Sequence, residues 1–205
     1  MVCSKKNIFL FLLLWPSFVF SHPVIWKGGT VFTFRSLSNT PQINLHYSYN
    51  RHWALGVHGI KLNKKQYGMF QSNFLLRRWN RQGSQANFYM FLGLGSHTKT
   101  QKDTILHFGS QVDWETRRLY TQLETHGFFS KDTTYLMSLR MGASPYLSDY
   151  EGLHSWIILQ LSDKVTENSH QITFMPVLRL FLDNYLVEFG SNFSGRNLVT
   201  LMFHF

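Results

Sequence analysis

The side chains of this sequence that could do chemistry fall into three groups. Glu124, His126 and Ser138 supply a carboxylate, an imidazole and a hydroxyl, the parts of a nucleophile, its base and an orienting acid. Arg35, Arg140 and Arg179 stand against Glu124, Glu188 and Asp113, which can pair as buried ions or set a transverse field across a passage. His46, His58, His107, His126 and His204 could ligate a metal if several of them converged. The most visible Ser–His pair, His154-Ser155, is adjacent in sequence, and neighbours in a strand point to opposite faces. No spacing here settles a reaction, so the meaning of these residues rests on the elements that position them.

Those elements must belong to one domain, since the chain has 205 residues. Lys and Arg number 20 against 11 acids, a formal charge of +9, yet charged residues make up only 15% and aromatics 17%, with 19 Phe. A disordered chain needs the reverse, few aromatics and dense charge. An ordinary soluble domain carries about 25% charged residues.

Near the start, Lys5 and Lys6 precede an apolar run from Ile8 to Phe20, broken only by Pro16 and Ser17. That run is too short to cross ~30 Å of hydrocarbon as a helix. Val19-Phe20-Ser21 offers the tolerated side chains of a signal-peptidase site. The expectation is a cleaved secretory signal peptide over 1–21, leaving 22–205 as the mature chain. The single cysteine, Cys3, leaves with it, so the mature chain has no disulfide and needs another source of stability.

Beyond residue 25 no apolar stripe of helical period appears, and alternation of period two recurs almost throughout. Ile43, Leu45, Tyr47 and Tyr49 alternate with Asn44, His46, Ser48 and Asn50. Ala86, Phe88, Met90, Leu92 and Leu94 share one face, while Asn87, Tyr89, Phe91, Gly93 and Gly95 share the other. Twelve strands are expected, at 27–36, 42–50, 53–61, 67–78, 85–95, 104–114, 118–129, 134–144, 154–162, 171–182, 185–193 and 197–205, with ten as the lower count. They are longer than the usual 5–6 residues of soluble sheets and match the ~9–11 residues of a tilted membrane-spanning strand. Charges gather between them, as in Lys61 to Lys65 and Arg77 to Arg81. Aromatics flank the ends: Trp26, Trp53, Tyr67, Trp79, Trp114, Tyr135, Tyr146, Tyr150, Trp156 and Tyr185. That is the pattern of the interfacial girdles of a membrane barrel. The expected fold is all-β, a single antiparallel up-and-down transmembrane β-barrel of about twelve strands.

The last strand carries a more specific signal. Val199, Leu201, Phe203 and Phe205 alternate up to a terminal Phe, which resembles the insertion signal of the bacterial outer-membrane β-barrel superfamily. The resemblance implies a location in the outer membrane, recognition by the barrel-assembly machinery through this strand, and contact with outer-membrane lipid and lipopolysaccharide. With both termini on the periplasmic side, the turns near 51, 82, 116, 148 and 184 would be periplasmic and the shorter set, with 146–153 as the exception.

By alternation the lumen should carry Arg35, His46, His58, Gln71, Asn73, His107, Asp113, Glu124, His126, Arg140, Gln160, Arg179, Glu188, Asn192 and His204. Glu124, Glu188 and Asp113 are expected to pair with Arg140, Arg179 and Arg35. In so narrow a lumen these pairs crosslink the walls, and in a conducting barrel Arg35, Glu124, Arg140, Arg179 and Glu188 set its selectivity. The function expected is a non-enzymatic narrow pore or structural barrel with a charge-paired polar lumen. The alternative is a membrane-embedded lipid hydrolase, of the outer-membrane phospholipase or lipid A deacylase type, on His126, Ser138 and Glu124; the His-x-Ser strand motif of the lipid-degrading barrels is missing. No cofactor and no metal is expected, since no His-x-His or His-x3-His pair occurs. Nucleic acid is excluded as a partner, because the positive charge is spread over strand ends with no basic stripe or stacking motif. Oligomeric state leaves no signature in the sequence.

Overall fold

A strand whose side chains alternate between apolar and polar has one face suited to hydrocarbon and one suited to water, and closing a sheet of such strands removes every exposed edge. The computed structural model, which describes residues 22–99, 103–147 and 152–205, realises this solution. Twelve strands follow one another: β1 (Thr30–Leu37), β2 (Thr40–Asn50), β3 (Trp53–Leu62), β4 (Lys65–Arg81), β5 (Ser84–His97) and β6 (Thr104–Thr116). The second half is β7 (Leu119–Phe129), β8 (Thr134–Ala143), β9 (His154–Thr166), β10 (Ser169–Leu182), β11 (Tyr185–Ser191) and β12 (Asn197–His204). Each pairs antiparallel with its neighbours, and β1 pairs β12 from Val31↔His204 to Leu37↔Leu198, which closes the barrel. Phe205 lies just past β12, but its N–H donates to Thr30 O at 2.9 Å and its C=O accepts from Thr30 N–H at 3.0 Å. The last residue thus completes the closing ladder. The expected signal peptide, 1–21, lies outside the described residues.

The outward face carries a broad apolar band. Phe70, Leu94, Ile157, Ile172 and Phe174 are all exposed, an apolar surface far beyond what a water-soluble monomer shows. Trp26, Trp79, Trp114, Tyr146 and Tyr185 are exposed at the end where both termini lie, the terminal end, and Tyr135 at the far end. Two of the aromatics expected in these girdles instead face inward. Tyr67 is buried against Ile60, Leu62, Met69, Ile105 and Phe128, and Trp156 packs toward Tyr120 and Ile158. They occupy inward positions of the alternation, so register overrides their interfacial preference.

The connections follow expectation on the terminal side, where 146–153 is the expected exception, and depart from it at the far end. Tight turns occur at both ends, and Ser38, Asn39, Asn63, Lys64 and Asp183 adopt positive φ in them, the demand of a tight hairpin. The longest connection, 144–153, is on the terminal side. At the far end β9 and β10 pair out to Thr166↔Ser169, so the polar stretch 163–170, expected as a loop, is almost all strand. Ladder hydrogen bonds do not depend on apolar side chains, and the strands run on past the apolar outer band.

Residues 27–29 do not extend β1 as expected. The chain turns there, with Gly29 N–H donating to Trp26 O, and His22 to Ile25 run back inside the barrel. Val24 is 1% exposed and packs with Ala54, Leu75, Tyr89 and Phe91. The interior is therefore a mixture: apolar clusters against the wall, with a polar passage between them.

Candidate functional site: the lumen

The polar passage is built from alternate residues of almost every strand. Near its middle, Arg35 on β1 reaches across to Glu124 on β7, Nη1 donating to Oε2 at 2.9 Å. The other oxygen of Glu124 meets His126 Nε2 at 2.8 Å, and His126 Nδ1 meets His107 Nε2 at 2.9 Å. A carboxylate only accepts hydrogen bonds. His126 therefore donates from Nε2, which leaves its Nδ1 to accept from His107 Nε2–H. The carboxylate at one end fixes both tautomers, and His107 Nδ1 is left as a buried lone pair without a hydrogen bond.

Glycine makes the seat for these rings. A Cβ on Gly109 would lie 2.5 Å from His126 Nδ1, and one on Gly93 would lie 3.1 Å from the Cβ of His107. Phe91 stacks on His126 and Phe128 on His107. Glycine at these strand positions thus leaves a packing gap that a ring fills.

A second cluster joins β8, β10 and β11, with Tyr120 of β7 beside it. Glu188 is 2% exposed and accepts from Arg140 Nη2 at 2.8 Å and Arg179 Nε at 2.7 Å. Arg179 also lies over the Tyr120 ring, 4.3 Å from its centroid, and Tyr120 Oη donates to Gln122. Asp113, expected to pair with an arginine, instead accepts from the side-chain amides of Asn87 and Gln111 at 2.7 and 2.9 Å. Asn87 in turn accepts from Arg78 Nε at 2.7 Å, so the cation acts through an amide. Asn192 does not face the lumen: it caps the β11–β12 turn, accepting from the N–H groups of Ser194 and Arg196.

Cavities remain along the passage. One of about 130 Å³ extends from His22 and Pro23 past His46, His58, His107, Arg140 and Arg179 to Arg35 and Glu124. One of about 70 Å³ lies on the far side, lined by Thr40, Ser138, Ser162, Lys164, Gln171 and Thr173. Arg35, Gln42, Glu124 and His126 line both. The Arg35–Glu124 pair is the partition between two chambers.

The hydrolytic constellation is not assembled here. Ser138 is the cross-strand partner of Glu124 and lines the far chamber. His126 has both ring nitrogens engaged, toward His107 and Glu124, so neither turns to Ser138. The histidines come closer together than their sequence spacing suggested, with the His58 and His107 ring centroids 5.6 Å apart. Among the described residues, no group of three or more His, Cys, Asp or Glu side chains is disposed to hold a metal ion.

Sequence reasoning assigned most inward faces but missed the contribution of 22–25, because a segment folded inside a barrel has no periodicity to betray it. No family model matches this sequence, and no curated protein does. The shape does find relatives among solved structures. One is described as KdgM porin in complex with disordered oligogalacturonate, at 12% identity and a TM-score of 0.56, over 86% of this chain and 99% of that one. KdgM porin is also matched at 13% identity and a TM-score of 0.54, over 86% and 98%. Likeness at this identity concerns the fold: this chain is a closed, twelve-stranded antiparallel barrel with an apolar exterior, similar in fold to those porins.

Proposed function

We propose that this protein is a narrow, non-enzymatic pore of the bacterial outer membrane that passes small polar solutes of low net charge. It would reach that membrane through a signal peptide cleaved after Ser21 and the barrel-assembly machinery acting on the Val199, Leu201, Phe203, Phe205 strand. Its outer surface would then sit among lipid and lipopolysaccharide. One observation carries the reading: cavities with polar side chains in their walls lie in series along the barrel, on either side of the Arg35–Glu124 ion pair with Gln42 and His126 beside it. A barrel with a purely mechanical role has no need of polar cavities along its axis, since apolar packing fills an interior at lower desolvation cost.

The solute class follows from charge. Arg35, Arg140, Arg179, Arg78 and Lys164 stand against Glu124, Glu188, Asp113, Glu115 and Asp163, so the passage is balanced. The oligogalacturonate held by the KdgM porin is a polyanion. Here each lumenal arginine has a carboxylate beside it or one amide away, which favours neutral or zwitterionic solutes. Liposome swelling in small sugars and amino acids, run beside a phospholipid hydrolysis assay, tests this. Swelling without fatty-acid release supports the pore. Fatty-acid release that is lost in Ser138→Ala would establish the hydrolase instead.

A further inference from the structure

The segment from His22 to Gly29 closes the terminal end of the lumen. Its grip on the wall differs from that of every strand. Gly28 N–H donates to Ser48 O and Ser48 N–H to Gly29 O, each at 2.8 Å, the last rungs of the ladder. Beyond them the contacts pass to side chains: Ile25 N–H donates to Ser48 Oγ at 3.1 Å and Asn73 Nδ2 to Pro23 O at 3.2 Å. His22 Nε2 lies 3.1 Å from Gln85 Nε2 and 3.7 Å from Glu115 Oε1.

Asn73 ties this segment to the histidine cluster. It accepts from Gln71 Nε2 at 2.8 Å, and Gln71 Oε1 lies 2.7 Å from His58 Nδ1. A lumenal relay thus runs from His58 through Gln71 and Asn73 to the Pro23 carbonyl. The segment's base is Gly28-Gly29, and Gly28 has φ +87° with nothing within 4 Å of where a Cβ would stand. A left-handed glycine in open space is a hinge able to swing without a side chain to obstruct it. A few side-chain hydrogen bonds and Val24 in its apolar seat hold what lies beyond the hinge.

We propose that residues 22–27 are a displaceable plug, hinged at Gly28-Gly29, that closes the terminal end of the lumen and leaves it to open the passage. The proposal rests on the pore reading for its purpose and on the geometry above for its motion. Opening exchanges the Ser48, Asn73 and Gln85 contacts for water and exposes Val24.

The test uses the full-length chain with Cys3→Ser and Val24→Cys, so that position 24 carries the only thiol. The folded barrel is treated with a small charged methanethiosulfonate, and labelling and single-channel conductance are followed together. Expected is labelling of the folded form far slower than of the denatured chain, with labelled channels passing several-fold more current because a charged adduct cannot re-enter the Val24 seat. Ser48→Ala, which removes the Ile25 partner, should speed labelling several-fold. A thiol at position 24 that reacts only after denaturation would show a fixed strut and overturn the proposal. Labelling that leaves the current of conducting channels unchanged would overturn it as well. Labelled and unlabelled barrels that are both silent would remove the pore reading while leaving the displaceable segment standing. Should Val24→Cys not fold, Ile25→Cys, at a buried position of the same segment, gives the labelling readout.

Discussion

Arg35 and Glu124, on β1 and β7 and 89 positions apart in sequence, meet at 2.9 Å in the middle of the barrel, and the lumen is divided in two where they meet. Glu124 is also the terminus of the His126–His107 chain. One carboxylate therefore joins an ion pair to a tautomer chain, and changes at either propagate to the other.

Glu188 is the buried anion whose loss the barrel should tolerate least. Glu188→Gln leaves Arg140 and Arg179 without a counter-charge at a site 2% exposed. Breaking a buried pair from one side costs about 3–5 kcal/mol. The temperature at which the folded band converts to the unfolded band on a semi-native gel should fall markedly; a temperature equal to that of the wild type would show that the cluster is solvated.

Phe205 should matter for closure more through its backbone than its ring. It exchanges two hydrogen bonds with Thr30 while its side chain is exposed on the outer face. Deleting Phe205 removes both bonds and the ring together, and Phe205→Asp keeps the backbone while replacing the ring with a carboxylate. Folded outer-membrane yield should drop in both, more steeply in the deletion. Equal and undiminished yields would count against the role of this strand.

Gly109→Ala places a methyl 2.5 Å from His126 Nδ1 and 2.9 Å from Thr125 O. The ring must shift and loosen its contact with His107, and overpacking of this kind costs roughly 1–3 kcal/mol. Thermal unfolding of the variant should fall accordingly. An unaltered transition would mean that the histidine chain is slack.

Acid should release the lumenal segment. Burial, with Arg78, His204 and Arg179 adding to it, pushes the His22 imidazole from its ordinary 6.5 down to about 3, despite Glu115 at 3.7 Å. The seated segment therefore holds a neutral ring that the released segment would protonate below pH 6.5. Release is unaffected above that value and gains about tenfold for each unit below it, down to about 3. Labelling of the Val24→Cys protein should thus be about tenfold faster at pH 5.5 than at pH 7.5 after correction for thiolate reactivity, and adding His22→Phe should abolish the difference.

How the sequence foreshadowed this molecule is clear from particular elements. β2 could be placed from Ile43, Leu45, Tyr47 and Tyr49, because its apolar face points out of the barrel and its polar face into the lumen, and the alternation is the imprint of both. β4 runs from Lys65 to Arg81, beyond the expected 67–78, because its ends pair through polar residues that carry no apolar signal. A β-bulge between Leu75 and Arg77 resets the alternation there, turning Arg78 inward toward Asn87. Alternation assigned Glu124, Glu188 and the three arginines to the inside but could not say which would meet. That depends on the stagger of strands across the barrel, which no local pattern records. The substitution of amides for an arginine beside Asp113 was hidden for the same reason.

The central claim, that Arg35 and Glu124 form the waist of the lumenal passage, is tested most directly by the reversal potential of Glu124→Gln channels in a salt gradient. The variant removes one negative charge from the partition while Arg35 remains charged. The account predicts a reversal potential displaced toward that of the anion relative to the wild type. Channels that conduct but reverse at the wild-type potential would contradict it.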